Sequence, residues 1–370
     1  FIEWQFKKLN SDGFITRGSH PVGWCPKDGN PVGQHDTIGD VEPDIGEYTI
    51  IKFNFNDSKL VTATLRPETI FGVTNIWINP DISYVKISIN DEKWIVSKDS
   101  LFKFEHLLSD PSYEVISGIS LIGKWVENPF TQMKIQLFPA SFVDPKNGTG
   151  LVMSVPSHAP YDYQAIVDFK QDKTLIKKYP DIDTSNLSPI DVIEIEKYSN
   201  TPAKQLVSNL DIMNQDDPRL EEATKELYTL EFNTGKMLDI AGDYAGLPVK
   251  QAKEDVKTDL IKLNLASKLY EIMNSPVMCR CGAECIIKMF ENQWFIDYGN
   301  VEWKKDVHSL INSMSIIPQE IKIEFHNTVD WLREKACARG SGMGTLLPWD
   351  NNWIIESLSD SVIYMAYYII

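Results

Sequence analysis

The 370-residue chain has no uninterrupted apolar run of about 18 residues, which argues against a membrane-spanning helix. Cysteine is scarce. The five are Cys25, Cys279, Cys281, Cys285 and Cys337, an odd count that does not suit a disulfide framework and fits a reducing, cytoplasmic setting. Positive charge is short as well: 36 Lys and Arg stand against 52 Asp and Glu, a net charge of −16. That balance disfavours broad, non-specific binding of nucleic acid but leaves room for a narrow site that takes one end of it. There is no Gly-x-Ser-x-Gly elbow and no His-Glu-x-x-His pair, and Gly340-Ser341-Gly342-Met343-Gly344 lacks the Lys-Ser/Thr of a phosphate loop. The six histidines are scattered at 20, 35, 106, 158, 308 and 326. No metal is expected. What remains is ordinary globular composition, 43% hydrophobic and 11% aromatic, sufficient for about two domains. The chain opens on Phe1-Ile2-Glu3-Trp4 and closes on the apolar run Val362 to Ile370, so we expect a piece of something larger.

Local patterns predict a mixed α and β fold. A short helix over 1–20 (Ile2, Phe6, Leu9) leads into loop-rich residues 21–48, which hold several Pro and Gly. Short β-rich runs follow, bounded by Asn, Asp, Gly or Pro: Ile50–Phe55, Lys59–Thr64, Asn75–Ile78, Tyr84–Ile89, Lys93–Val96 and Lys134–Phe138. Helices are predicted over Asp162–Lys170, Pro218–Phe232 and Val249–Leu263, the last two from apolar residues at helical spacing. Residues 177–215, rich in Asp, Ser, Asn and Pro, read as a partly structured surface insertion. A hairpin is predicted near 277–296, with helical stretches near 301–314, Trp331–Ala338 and 353–370. The architecture expected is a small barrel-like β domain with helices packed outside.

Two runs could carry chemistry. Thr62-Ala63-Thr64-Leu65-Arg66-Pro67-Glu68-Thr69-Ile70-Phe71-Gly72 reads as a strand turning into a short helix, with Pro67 at its start and Gly72 at its end. The turn would present backbone N–H groups to an anion or a polarised carbonyl, with the Thr64 and Thr69 hydroxyls beside it and Arg66 as a fixed cation. Threonines chosen only for strand propensity and capping would give the same pattern. In the second run, Gly148-Thr149-Gly150 precedes a buried strand, and a turn through His158 leads into a helix whose first turn holds Asp162. A carboxylate kept charged there by the helix dipole can bind an ammonium group, or merely cap the helix. His158 could be a general base or a turn residue. Cys279-Arg280-Cys281-Gly282-Ala283-Glu284-Cys285 has a one-residue gap and no adjacent fourth ligand; Cys25, distant in sequence, could lie near in space, but zinc at Cys279, Cys281 and Cys285 is disfavoured.

The run Thr64-Leu65-Arg66-Pro67-Glu68-Thr69 is similar to the threonine-rich motif in the editing domains of leucyl-, isoleucyl- and valyl-tRNA synthetases, and Asp162 matches that family's essential aspartate. Thr74-Asn75-Ile76-Trp77-Ile78-Asn79-Pro80, Asn292-Gln293-Trp294-Phe295-Ile296-Asp297-Tyr298-Gly299 and the Pro348 to Ser361 segment resemble the archaeal and eukaryotic cytosolic leucyl enzymes. The resemblance covers the chain from end to end, least closely over 177–215.

The resemblance implies the connective-polypeptide editing insertion of a class I synthetase. Residues 1–21 would be a flank leading from the catalytic core. Residues 22–277 would form the editing domain, with a helical insertion near 177–235, and 278–370 would lead back through the cysteine hairpin. The implied activity is hydrolysis of mischarged tRNA(Leu) carrying isoleucine, norvaline or methionine, with Leu-tRNA(Leu) spared. One methyl gives only about 1–3 kcal/mol of discrimination in an apolar pocket, so a second sieve is needed. Catalytic roles fall to Thr64, Thr69 and Asp162, and Leu65, Arg66, Met153, Val155 and His158 would bind substrate. Partners would be the tRNA(Leu) 3′ end, the wrong amino acid and the rest of the synthetase, without a membrane. Editing would need no cofactor; ATP would serve leucine ligation in the full-length enzyme. Two rivals are an editing domain of a valyl or isoleucyl enzyme, and a docking module for tRNA or protein without turnover.

Overall fold

The computed structural model describes residues 1–185, 187–340 and 343–364. These form two compact units, one of Asp44–Met273 and one in which Phe1–Pro43 and the segment from Asn274 onward fold together.

In the 44–273 unit, alternation of side chains along each strand decides the layers. On Ile45–Phe55, Ile51 and Phe53 enter one apolar core while Ile50 enters another. On Ser58–Thr64, Leu60 and Val61 divide the same way. Both faces are therefore covered, as expected for strands this apolar. Ten strands join in one open sheet. From one edge the order is Leu151–Ser154, Asn75–Ile78, Lys134–Pro139, Trp125–Glu127, Ile45–Phe55, Ser58–Thr64, Glu92–Ser97, Ser83–Ile89 and Leu108–Ser117. Ala266–Ile272 pairs with Ile45–Phe55 as well. The mixed α and β class holds; the sheet is open, not the barrel expected.

The helices Pro202–Asn209, Arg219–Thr234 and Val249–Lys262 bury Leu206, Leu227 and Val256 against one face of the sheet. The helix Pro160–Gln171 packs Ala165, Ile166 and Phe169 onto Trp77 and Phe138. Residues 177–215 are not a surface insertion. Leu187, Val192, Ile193 and Ile195 are buried, and the helix Pro202–Asn209 sits in the main core. Gly148 shows why the chain entering the edge strand needs glycine. Its φ is +57°, and an added Cβ would stand 2.7 Å from the Cβ of Ala63 on the threonine strand.

In the other unit, the strand Ile15–Cys25 pairs with Ile286–Asp297 and with Asn30–Pro31, so part of the stretch expected as loop is strand. Gly23 lies under the Pro43 ring, where a Cβ would come within 3.0 Å. Helices span Ile2–Ser11, Val301–Ser313 and Ile321–Trp331. The helical expectation for Trp331–Ala338 fails: Glu334–Ala336 pairs with Ile286–Asp297, and Ala338–Arg339 pairs with Asp350–Ile355. Expected helix 353–370 starts as the end of that strand and turns helical at Ser357–Ser361. Its residues 365–370, like 341–342 of the glycine-rich loop, lie outside the described residues.

Candidate functional site

The threonine strand ends at Thr64, and a 3-10 helix occupies Pro67–Gly72 with Pro67 in its first turn. Between them Arg66 is clasped by both threonines. Its backbone N–H donates to Thr64 Oγ1 at 2.9 Å, and its carbonyl accepts from Thr69 Oγ1 at 2.8 Å and from the Thr69 N–H at 3.1 Å. Thr69 is 2% exposed, Thr64 is half-buried, and Leu65 is 39% exposed at the apex.

The second loop is built on Asp162, which is 8% exposed. Its carboxylate accepts from the Val155 backbone N–H at 2.8 Å and from the Trp77 indole N–H at 2.9 Å. Trp77 can reach it because the indole packs under the helix that Asp162 opens. Burial lifts the Asp162 pKa to about 6, and the Val155 and Trp77 donors pull the other way. The aspartate is thus less firmly ionised than its place in the first helical turn leads one to expect. Met153 is buried on the edge strand opposite Ile76, and Val155 lies against Gly72.

Arg66 joins the two loops. Its Nη1 donates to the His158 carbonyl at 3.1 Å, Nε to Glu68 Oε1 at 3.1 Å and Nη2 to Glu231 Oε2 at 2.7 Å, and the guanidinium lies 4.5 Å from the Tyr228 ring centroid. Burial works against its charge, but Glu231 and Glu68 raise its pKa overall. Burial pushes Glu68 up; Glu231, though buried, is held low by Arg66 and His158.

The structure therefore brings Thr64, Arg66, Thr69, Val155, His158 and Asp162 into one hydrogen-bonded neighbourhood. His158, expected at the substrate, is wholly buried with both ring nitrogens engaged. Nε2 accepts from the Val192 N–H at 2.8 Å, so Nδ1 carries the proton and donates to Glu231 Oε1 at 2.7 Å. That leaves the imidazole no spare nitrogen for base catalysis. Trp77, Tyr228 and Glu231 escaped the sequence reading as site residues. Glu231 did leave a signal: it falls four residues after Leu227 on the buried face of its helix, where a charge needs a partner.

A second constellation lies in the other unit. Cys25, Asp28, Cys279 and Cys281 place their ligand atoms within 4.8 Å of one another, with Cys25 Sγ 3.4 Å from Cys281 Sγ and Cys279 Sγ 3.3 Å from Asp28 Oδ2. Three thiols and a carboxylate suit zinc. The group differs from the disfavoured Cys279, Cys281 and Cys285 set: Cys285 stands outside it, while Cys25 and Asp28, some 250 residues away in sequence, complete it.

The threonine-rich turn and the aspartate loop that Arg66 ties together on this open mixed sheet are the two segments that resemble the editing domains of aminoacyl-tRNA synthetases. The sequence model of "Leucyl-tRNA synthetase, editing domain" matches residues 45–188. The leucine–tRNA ligases of Methanosarcina acetivorans and Archaeoglobus fulgidus are each 47% identical to the chain over 377 residues, covering all of it and 39% and 40% of their own lengths. The chain thus spans about two-fifths of the curated relatives it matches. Among solved structures, GlLeuRS-CP1 aligns at 26% identity with a TM-score of 0.54, over 60% of this chain and 99% of that one. The P. knowlesi cytosolic leucyl-tRNA synthetase editing domain, at 19% identity and a TM-score of 0.56, shares the fold over 62% of this chain and 98% of its own. Along its whole length the chain is thus similar to part of a leucine–tRNA ligase, and residues 45–188 match the leucyl-tRNA synthetase editing domain.

Proposed function

We propose that the chain hydrolyses the ester between a wrong amino acid (isoleucine, norvaline or methionine) and the terminal ribose of tRNA(Leu), and spares Leu-tRNA(Leu). The observation that carries this reading is the linkage of the threonine turn to the aspartate loop through Arg66. Asp162 pairs with the α-ammonium of the aminoacyl group and orients the ester. Thr69 crowds the side-chain pocket. The Thr64 hydroxyl and the backbone at Leu65 position water and polarise the carbonyl. Met153 and Val155 line the pocket or the terminal adenosine site. Water attacks the ester carbonyl, the bond to the ribose oxygen breaks, and that oxygen takes the proton with help from the neighbouring ribose hydroxyl. No side chain acts as general base, in keeping with the engaged nitrogens of His158.

The test is deacylation of preformed Ile-tRNA(Leu) and Leu-tRNA(Leu). The expected result is rapid loss of isoleucine and slow loss of leucine; equal, background rates for both would sink the reading. The same assay has a predicted pH profile. Asp162 loses its charge as pH falls through about 6. Since kcat/KM follows the free protein, it should drop about tenfold per pH unit below about pH 6 and level off above. A flat profile between about pH 5 and about pH 7 contradicts the role of Asp162.

The other partners follow from the same reading: the 3′ end of tRNA(Leu) and the remainder of a leucyl-tRNA synthetase, working in the cytoplasm. Among the described residues no helix is long and apolar enough to cross a membrane. Ligation of leucine with ATP falls to parts of such a synthetase beyond the matched two-fifths. Zinc fits the second constellation: Cys25, Asp28, Cys279 and Cys281 would hold it, and it would supply a structural cross-link between two hairpin segments. Chain purified with zinc and freed of loose metal should retain it by elemental analysis, and Cys279→Ser should release it and lower the Tm. Absence of bound zinc in the unaltered chain would refute the assignment.

A further inference from the structure

One carboxylate in the 44–273 unit touches both loops of the proposed site without belonging to either. Glu231 is 0% exposed and sits near the end of the helix Arg219–Thr234. Its Oε2 accepts from Arg66 Nη2 at 2.7 Å, and its Oε1 accepts from His158 Nδ1 at 2.7 Å. Arg66 carries Thr64 and Thr69 on its own backbone. His158 belongs to the turn that delivers Asp162: its N–H donates to the Val155 carbonyl, and Val155 in turn donates to the Asp162 carboxylate. The far side of the imidazole is pinned by the Val192 and Ile193 N–H groups, so it cannot slide away from Glu231. A buried carboxylate needs partners, but either partner alone would anchor it. The two oxygens are instead divided between the two loops.

We infer that Glu231 is a positioning residue for ester hydrolysis: by holding Arg66 with one oxygen and His158 with the other, it fixes the distance between the threonine turn and the Asp162 loop. This rests on the proofreading reading above. The substrate would span that distance, with its side chain against Thr69 and its ammonium on Asp162. A helix that contributes no group to the substrate thus sets how well isoleucine is told from leucine.

Glu231→Gln tests it, because the amide keeps the shape and one acceptor while turning an N–H₂ toward the other arm. In the folded variant, kcat for Ile-tRNA(Leu) should fall by about tenfold to a hundredfold, as expected for a sub-ångström misplacement, with KM for the tRNA nearly unchanged. The ratio of isoleucine to leucine hydrolysis should fall with it. A merely structural role would lower the folded fraction and reduce both esters in proportion, leaving that ratio intact. Glu231→Asp keeps the charge that Arg66 requires but is one methylene too short to hold both arms, and it should lose selectivity in the same way. Normal kcat and a normal ratio in either folded variant overturn the proposal. An inert unaltered chain overturns the proofreading reading and this proposal with it, whereas an active chain indifferent to both substitutions overturns the positioning role alone.

Discussion

Thr69→Ala should turn the chain against the correctly charged tRNA, raising hydrolysis of Leu-tRNA(Leu) by about tenfold to a hundredfold, the discrimination that one methyl group provides in an apolar pocket. The hydroxyl of Thr69 is committed to the Arg66 carbonyl, which holds the β-branched side chain in one rotamer. Removing that side chain leaves the turn standing, because the Thr69 N–H still donates to the same carbonyl. The space opened is what a γ-branched leucine side chain needs. Thr69→Val separates shape from polarity: it keeps the branch, loses the hydroxyl, and should still reject leucine. Leu-tRNA(Leu) that survives the alanine variant, measured by release of labelled leucine, would refute the steric gate.

Asp162→Asn should abolish hydrolysis of Ile-tRNA(Leu), with a loss of about a hundredfold or more, since breaking a buried charge pair by removing one partner costs about 3–5 kcal/mol. Asparagine fills the same volume and keeps one acceptor for the Val155 or Trp77 donor. Asp162→Ala should be equally inactive and less stable, because two buried N–H groups are then left without an acceptor, at about 1–3 kcal/mol each. Circular dichroism and the Tm establish that the asparagine variant is folded. Normal deacylation by that folded variant would remove Asp162 from the mechanism.

Much of the fold is legible where the physics is local. The predicted run Asn75–Ile78 is a strand to the residue, and Lys59–Thr64 and Lys134–Phe138 each differ from the observed strand by one residue at one end. The helix Val249–Lys262 ends one residue short of its prediction. Alternation and helical spacing suffice for such segments, since each buries a regular face. Residues 177–215 mislead because Leu187, Val192, Ile193 and Ile195 are buried with polar residues among them and no regular period to read, and the strand there, Ile193–Glu194, is only two residues long. Glu334–Ala336 is three residues long and borrows its partner from Ile286–Asp297, far off in sequence, so nothing local marks it as a strand. The sites divide the same way. The threonine turn and Asp162 announce themselves through motif and capping position, whereas the use of His158 depends on Glu231, Val192 and Ile193 arriving from other elements. Cys25 and Asp28 join Cys279 and Cys281 only once the chain has folded.

Thr64 and Thr69 grip opposite ends of one residue's peptide frame, the amide and the carbonyl of Arg66. On the roles proposed for them, a change that displaces the Arg66 backbone itself would shift both threonines at once, so the rate of hydrolysis and its selectivity would drift together.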